Sequence, residues 1–247
     1  MGWLSSRAKA WAPLGLGLGW RIAGPSRPDA ALLALFRSLP ADPLPEFSGR
    51  DGLSHGGRGM DHPRYGRFIH AFGRHVRPAE VLEVGTYAGG TAVGWARALV
   101  ENGAGRLTCV DNDSYSQGIY PTKVAANLAS VGLPAERMRL LNGDSRRELP
   151  ALAAELGGRV DAYLIDGDHS YEGAKADLRG GRPLVRRGGW VLVHDVDPGR
   201  AMREATPAHP TPVLEAVREF VREEGVKDWY VLEFIRKHLA VLRMPLT

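Results

Sequence analysis

A regular alternation of short apolar runs and helical patterns constrains the fold of this chain more than any other feature. Five apolar runs have the length of buried strands, and they cover residues 81–84, 107–110, 138–141, 160–165 and 190–193. Each run is followed by a segment with apolar residues at helical spacing. Strands that alternate with helices build a mostly parallel sheet with helices on both faces. The pattern therefore predicts an α/β fold.

Further helices and strands are predicted before and after this alternation. Residues 28–39 and 62–76 carry helical patterns, and Asp61 is a possible cap for the second helix. Residues 229–235 and 239–244 predict a closing antiparallel pair of strands. Together with the five parallel runs, this pair gives a sheet of seven strands.

The residues before the second helix are expected to form an N-terminal extension. Residues 40–59 contain three prolines and five glycines without periodicity, which indicates a loop. Unstructured loops of this length are usually functional or disordered. We therefore expect residues 1–61 to be an extension that includes a lid, and residues 62–247 to be the main domain. The Trp-rich start of the chain suggests a contact in a homodimer.

Composition narrows the class of protein. Hydrophobic residues make up 44% of the 247 residues and charged residues 24%, which is ordinary for a globular protein with a full core. The single cysteine, Cys109, excludes an internal disulfide and favours a reducing, cytoplasmic setting. No apolar run is long enough for a transmembrane helix. The net charge is +4 without a long basic tract, so nucleic acid is not an expected partner.

A glycine motif follows the first strand of the alternation. It reads Glu83-Val84-Gly85-Thr86-Tyr87-Ala88-Gly89-Gly90-Thr91. Glycines let the backbone turn sharply and approach a ligand closely. The spacing E-x-G-x-x-x-G differs from the dinucleotide fingerprint G-x-G-x-x-G, which disfavours NAD. A glycine-rich turn without any ligand remains the alternative.

Polar residues also follow the second and third strands. Asp111 ends the second strand, where a carboxylate can accept both ribose hydroxyls of an adenosyl group. Gly143, Asp144 and Ser145 follow the third strand, where a group that contacts adenine is expected. Ser145 can equally be only the N-cap of the next helix.

Acidic and histidine side chains crowd the ends of the fourth and fifth strands. The fourth strand is followed by Asp166, Asp168 and His169, and the fifth ends in His194 and Asp195. Neighbouring parallel strands lie about 4.8 Å apart, so these side chains can converge. Oxygen-rich convergence suits a hard divalent ion, Mg²⁺ first and Mn²⁺ second. The alternative is a hydrogen-bonded carboxylate pair that caps helices.

These motifs together resemble the class I methyltransferases that use S-adenosylmethionine (SAM). The similarity is greatest to a group with the segment D-G-D-H-S-Y-E-G, near the macrolide and aminocoumarin sugar O-methyltransferases and the cephalosporin hydroxylase-like proteins. It covers about residues 62–247 and is strongest at 81–90, 165–178 and 188–195, and residues 126–133 also resemble the family. The resemblance implies a Rossmann-like α/β fold.

The resemblance also implies roles for individual residues. The expected SAM-binding residues are Glu83, Gly85, Thr86, Tyr87, Gly89, Thr91, Asp111, Asn112, Gly143, Asp144, Ser145 and Asp166. The expected metal ligands are Asp166, His194 and Asp195. The family usually has an acidic or amide ligand where this chain has His194, and this departure shifts the expected ion toward Mn²⁺ or a softer one. Either Asp168, by family position, or His169, by its titration range, is expected to be the general base.

The implied reaction is methyl transfer from SAM to a hydroxyl group of a small molecule. A sugar or glycoside is the favoured acceptor, and a catechol or phenol is the alternative. A non-catalytic SAM-binding protein would not need the acid cluster. A nucleic-acid methyltransferase is disfavoured because no N-P-P-Y-type segment follows the fourth strand.

Overall fold

The structure is a computed structural model that describes residues 12–13, 21–39, 62–114, 118, 120–196, 204–234 and 237–247. The predicted lid over residues 40–59 and the predicted cap at Asp61 lie outside the described residues, as does most of the Trp-rich start of the chain.

The described elements follow the predicted alternation. The strands are β1 (Ala12–Pro13), β2 (Arg21–Ala23), β3 (Glu80–Val84), β4 (Arg106–Asp111), β5 (Met138–Asn142), β6 (Val160–Ile165), β7 (Val185–His194), β8 (Asp228–Phe234) and β9 (Lys237–Arg243). The helices are α1 (Ala30–Ser38), α2 (His62–Val76), α3 (Gly90–Asn102), α4 (Thr122–Ser130), α5 (Ser145–Leu156), α6 (Tyr171–Gly181) and α7 (Pro212–Glu223). A short 3₁₀ turn, Ala135–Arg137, precedes β5.

The strands form one sheet in the order β1-β2-β8-β9-β7-β6-β3-β4-β5. β3 to β7 pair in parallel, and β9 and β8 continue the sheet as an antiparallel pair. The predicted Rossmann-like α/β fold and its seven main strands are thus confirmed. Two short strands that were not predicted, β1 and β2, extend the sheet beyond β8.

Helices cover both faces of the sheet. One face packs against α1, α2, α3 and α4, and its buried side chains include Phe72, Trp95 and Leu192. The other face packs against α5, α6 and α7, with Leu178 and Phe220 in its core. The order of the parallel strands changes direction between β3 and β6, since β4 and β5 follow on one side of β3 and β6 and β7 on the other. In such folds the ligand binds in a crevice at the carboxyl ends of the two strands where this change occurs.

Within the described ranges, no helix is both long enough and apolar enough to cross a lipid bilayer.

Candidate active site

The turn after β3 contacts the end of β6 directly, and this contact requires glycine. Gly85 has a φ of 80°, in the left-handed region that favours glycine. A Cβ atom at this position would lie 2.1 Å from the carbonyl oxygen of Asp166. Gly89 has a φ of 90° and forms the N-cap of α3. The glycine turn therefore packs against the strand that carries the first acidic residue of the predicted cluster.

Glu83 is a buried acid beneath this turn. Its side chain accepts a hydrogen bond from the hydroxyl of Thr91 at 2.9 Å, and Thr86 is buried beside it. Burial raises the pKa of Glu83 to about 8, although the hydrogen bond from Thr91 lowers it. The hydrogen bond between Glu83 and Thr91 joins β3 to the first turn of α3, and it thereby stabilises the glycine turn that connects them.

Asp111 holds the same turn from the end of β4. One carboxylate oxygen accepts the backbone N–H of Tyr87 at 2.7 Å, and the other accepts that of Asp113 at 2.7 Å. Each carboxylate oxygen has two lone pairs, so both can accept a further hydroxyl. Asn112 is exposed, and its side-chain oxygen accepts the backbone N–H of Ser114 within the same loop.

The segment after β5 lies next to the end of β4. The backbone N–H of Gly143 bonds to the last carbonyl of β4 at 2.9 Å. Asp144 is the N-cap of α5, because its carboxylate accepts the backbone N–H of Arg146 at 2.9 Å. The alternative that Ser145 is the N-cap is therefore wrong. The hydroxyl of Ser145 instead donates to the carboxylate of Asp177 on α6 at 2.6 Å.

Four side chains meet at the carboxyl ends of β6 and β7, namely Asp166, His169, His194 and Asp195. Their ligand-type atoms all lie within 4.8 Å of one another. Oδ1 of Asp166 is 2.7 Å from Nδ1 of His194 and 3.1 Å from Nε2 of His169. Nδ1 of His169 is 3.5 Å from Oδ2 of Asp195. The structure thus brings together the three predicted metal ligands, and it adds His169 to them.

The alternation of side chains along the strands explains this convergence. Leu164 and Leu192 face the layer of α2 and α3. Asp166 and His194 follow them by two residues, so they point to the same face at the edge of the sheet. Asp195 has a φ of 54°, a left-handed conformation that aspartate tolerates better than most residues.

The charges in the cluster shift each other's titration. Burial lowers the pKa of His169, but the hydrogen bond to Asp166 and the charges of Asp166, Asp195 and Glu204 raise it to about 9. Burial raises the pKa of Asp166, but its contacts with His194 and His169 hold it well below its usual range. With no cation bound, His169 is therefore protonated at neutral pH and lies between two carboxylates.

Asp168 lies outside this cluster, although it is adjacent to His169 in sequence. Its side chain is 52% exposed. One carboxylate oxygen accepts the backbone N–H of Ser170 at 2.9 Å, and the other lies 3.5 Å from the guanidinium of Arg146. The carboxylate also packs over Gly173, where an added Cβ atom would lie 2.2 Å from Cγ of Asp168. These contacts stabilise the start of α6.

Two buried polar side chains support the site and were not singled out from the sequence. Asn127 on α4 donates to the carbonyl of Ala88 in the glycine turn at 2.9 Å. Asp177 on α6 accepts the hydroxyl of Ser145 and lies against Gly167. The sequence could have indicated that both are buried, because each polar residue is next to a leucine in a helical pattern, namely Leu128 and Leu178.

A third residue that supports the site is Tyr65 on α2. Its ring stacks on the imidazole of His194, with the ring centroids 4.6 Å apart and the planes 21° apart. Burial and the charges of Asp166, Glu83 and Asp195 raise the pKa of Tyr65 well above its usual value, so the phenol stays protonated.

Comparisons with known proteins agree with this arrangement. The family described as a methyltransferase domain matches residues 82–196. A protein of Mycobacteroides abscessus that is named as an O-methyltransferase is 32% identical over 170 residues, which are 67% of this chain and 71% of that protein. A catechol O-methyltransferase of Niastella koreensis is 29% identical over 140 residues, which are 57% of this chain and 55% of that enzyme.

The solved structures show the same fold. The O-methyltransferase TomG of Streptomyces achromogenes, involved in tomaymycin synthesis and solved in complex with SAM, superposes with a TM-score of 0.57. The two proteins are 22% identical, and the superposition covers 89% of this chain and 92% of TomG.

The parallel sheet, the glycine turn after its first central strand and the acid at the end of the next strand define a SAM-dependent enzyme of the methyltransferase class. Together with the sequence matches, this shows that the chain belongs to the class I SAM-dependent methyltransferases. Membership in this family bears out the expectation that SAM is the methyl donor.

Proposed function

We propose that this methyltransferase transfers the methyl group of SAM to a hydroxyl oxygen of a small molecule, with a sugar or glycoside as the favoured acceptor. The observation that carries the proposal is the contact between the glycine turn and the cluster. Gly85 has no room for a Cβ atom against Asp166, so the SAM-binding turn and the ionisable groups share one crevice. An acceptor hydroxyl held at the cluster would lie next to the methyl donor.

A sulfonium methyl group is already activated, so the enzyme must mainly orient the acceptor and remove its proton. We assign proton removal to His169, because it lies within the cluster whereas Asp168 pairs with Ser170 and Arg146. Nε2 of His169 lies 3.1 Å from Asp166, whose carboxylate would accept its N–H and orient the imidazole. Nδ1, which lies 3.5 Å from Asp195, would take the proton of the acceptor hydroxyl, and the two carboxylates would stabilise the imidazolium that forms.

The donor set of the cluster fits a divalent cation. Asp166, His194 and Asp195 would hold it, with one imidazole nitrogen and two carboxylates as ligands. The carboxylates suit Mg²⁺ or Mn²⁺, and the imidazole shifts the preference toward a softer ion such as Zn²⁺. When bound, such an ion would supply positive charge that lowers the pKa of an acceptor hydroxyl and of His169. This would give His169 the neutral form that a base needs.

The acceptor class is open to a second candidate. Resemblance to sugar O-methyltransferases supports a sugar or glycoside hydroxyl, which is a weak acid and needs both a base and a nearby positive charge. The relative from Niastella koreensis, named a catechol O-methyltransferase, supports a catechol or phenol instead. A phenol is more acidic, so its methylation would depend less on His169.

A panel of acceptors tests the proposal. The enzyme is incubated with SAM, a divalent ion and glycosides, catechols or amines, and products are identified by mass spectrometry and by the position of the new methyl group. We expect methylation at oxygen, and we expect His169→Gln to slow a glycoside acceptor more than a catechol. Methylation found only at nitrogen or carbon would overturn the proposed reaction.

A further inference from the structure

Helix α2 packs against β7 through two aromatic contacts. Phe72 packs edge-on against Trp190, with the ring centroids 5.4 Å apart. Tyr65, seven residues earlier, stacks on His194, four residues further along β7. Both α2 side chains are 1% exposed. The first contact belongs to the core, whereas the second ends at the ionisable cluster.

Among the described residues, the ring of His194 is hydrogen-bonded through Nδ1 alone. Nδ1 lies 2.7 Å from Asp166 and 3.5 Å from Asp195. Nε2 is buried and has no hydrogen-bond partner among the residues that the structure describes. A half-turn of the ring would exchange Nδ1 for a carbon atom, and no second hydrogen bond opposes that rotation within the described chain. Packing against the face of the ring is therefore what can restrict it.

We propose that Tyr65 is a positioning residue that holds the imidazole of His194 with Nδ1 directed into the cluster. The phenol ring stacks on one face of the imidazole, so rotation of His194 would disrupt this packing. The contribution comes from the aromatic face of Tyr65, and its hydroxyl is not required for it. The value of the orientation rests on the proposed function, in which Nδ1 is a ligand for a divalent cation.

The position of the pair in the sheet supports this role. His194 is the last residue of β7 and pairs in register with Leu239 of β9. The backbone beyond it turns away at once through the left-handed Asp195. Strand pairing thus fixes the backbone of His194 but not the torsion of its ring. The hydrogen bond to Asp166 holds Nδ1, and the ring of Tyr65 on α2 adds packing against the imidazole face.

Three variants separate positioning from general core packing. Tyr65→Leu removes the aromatic face, Tyr65→Phe keeps it, and Phe72→Leu makes the matched loss at the contact with Trp190. Long-range ¹H–¹⁵N spectra of the metal-free protein report the tautomer and order of the His194 ring, calorimetry gives the Mn²⁺ affinity, and a separate titration gives the SAM affinity.

We expect Tyr65→Leu to replace the single His194 tautomer by averaged signals and to weaken Mn²⁺ binding roughly tenfold or more, as the loss of groups that orient metal ligands does. SAM affinity should be unchanged. Tyr65→Phe should match the wild type, and Phe72→Leu should lower stability without changing the His194 signals.

An unchanged His194 spectrum in Tyr65→Leu would overturn the inference, as would the same spectral change in Phe72→Leu. If the wild-type protein binds no Mn²⁺, Zn²⁺ or Mg²⁺, the proposed cation site fails. The tautomer spectra then still decide whether Tyr65 positions His194.

Discussion

At the scale of single residues, the site depends on carboxylates that bind backbone N–H groups. Asp111 accepts two of them at the carboxyl edge of the sheet, and Asp161 accepts those of Ala79 and Glu80 at the opposite edge. The two acids perform similar structural work. Asp111 contacts the glycine turn, whereas Asp161 does not. Substitution of Asp161 is therefore a control for the structural part of the effect of substituting Asp111.

Asp111→Ala should therefore weaken SAM binding by about 1–3 kcal/mol, the value of lost charge-assisted hydrogen bonds. This corresponds to a rise in Kd of roughly 5- to 150-fold, measurable by calorimetry. Asp161→Ala is the control, and we expect it to lower stability while leaving the SAM affinity of the folded protein unchanged. Equal SAM affinities for Asp111→Ala and the wild type would contradict the ribose-binding role.

Neighbouring residues in the loop after β6 show what the sequence could not predict. The end of the strand could be placed, and with it the arrival of Asp166, Asp168 and His169 at the crevice. Which of the last two faces the cluster depends on local hydrogen bonds. Asp168 is drawn to the backbone N–H of Ser170, and His169 is left to face Asp166. The residue types and their spacing do not show whether Asp168 or His169 faces the cluster.

At the scale of elements, the strands were predictable because apolar runs of this length must be buried. β1 and β2 were missed because two or three residues carry no periodicity. β7 starts at Val185, five residues before the predicted start at residue 190. The predicted start was too late because Gly188 and Gly189 are typical of a turn, whereas here they lie within the strand. The role of Tyr65 could not be predicted either, because it depends on how α2 lies against β7.

A buried acid between α5 and α6, Asp177, makes the stability of the fold depend on pH. Burial raises the pKa of Asp177 to about 6, although the hydrogen bond from Ser145 lowers it, and the charge of Asp168 raises it further. An unfolded aspartate has a pKa of about 3.9. The folded state therefore holds this proton more tightly, so its contribution to stability falls as the pH rises from about 4 to about 6.

Asp177→Asn keeps an acceptor for Ser145 and cannot ionise. We expect it to be more stable than the wild type at pH 7.5, by up to about 3 kcal/mol, and to lose this advantage near pH 4. Urea unfolding of both proteins at the two pH values measures the difference. A stability difference that does not change between pH 4 and pH 7.5 would show that Asp177 does not titrate in this window.

At the scale of the whole molecule, the parallel sheet brings the ends of four strands to one crevice. The SAM-binding turn follows β3, its acid partner follows β4, and the ionisable cluster follows β6 and β7. Topology thus joins residues that are more than 100 positions apart in sequence, such as Glu83 and Asp195. The separation of the two halves of the site predicts that methyl-donor binding and turnover can be disrupted independently.

The proposed cation site is tested by the rate of methyl transfer after removal of divalent ions, measured together with the affinity for SAM. We expect EDTA to abolish turnover and Mn²⁺ or Mg²⁺ to restore it, with the Kd for SAM unchanged throughout. Asp195→Asn should likewise bind SAM but lose most of its turnover. Full activity of the metal-free enzyme would contradict a cation site, and it would leave Asp166, His169 and His194 as a proton-transfer array.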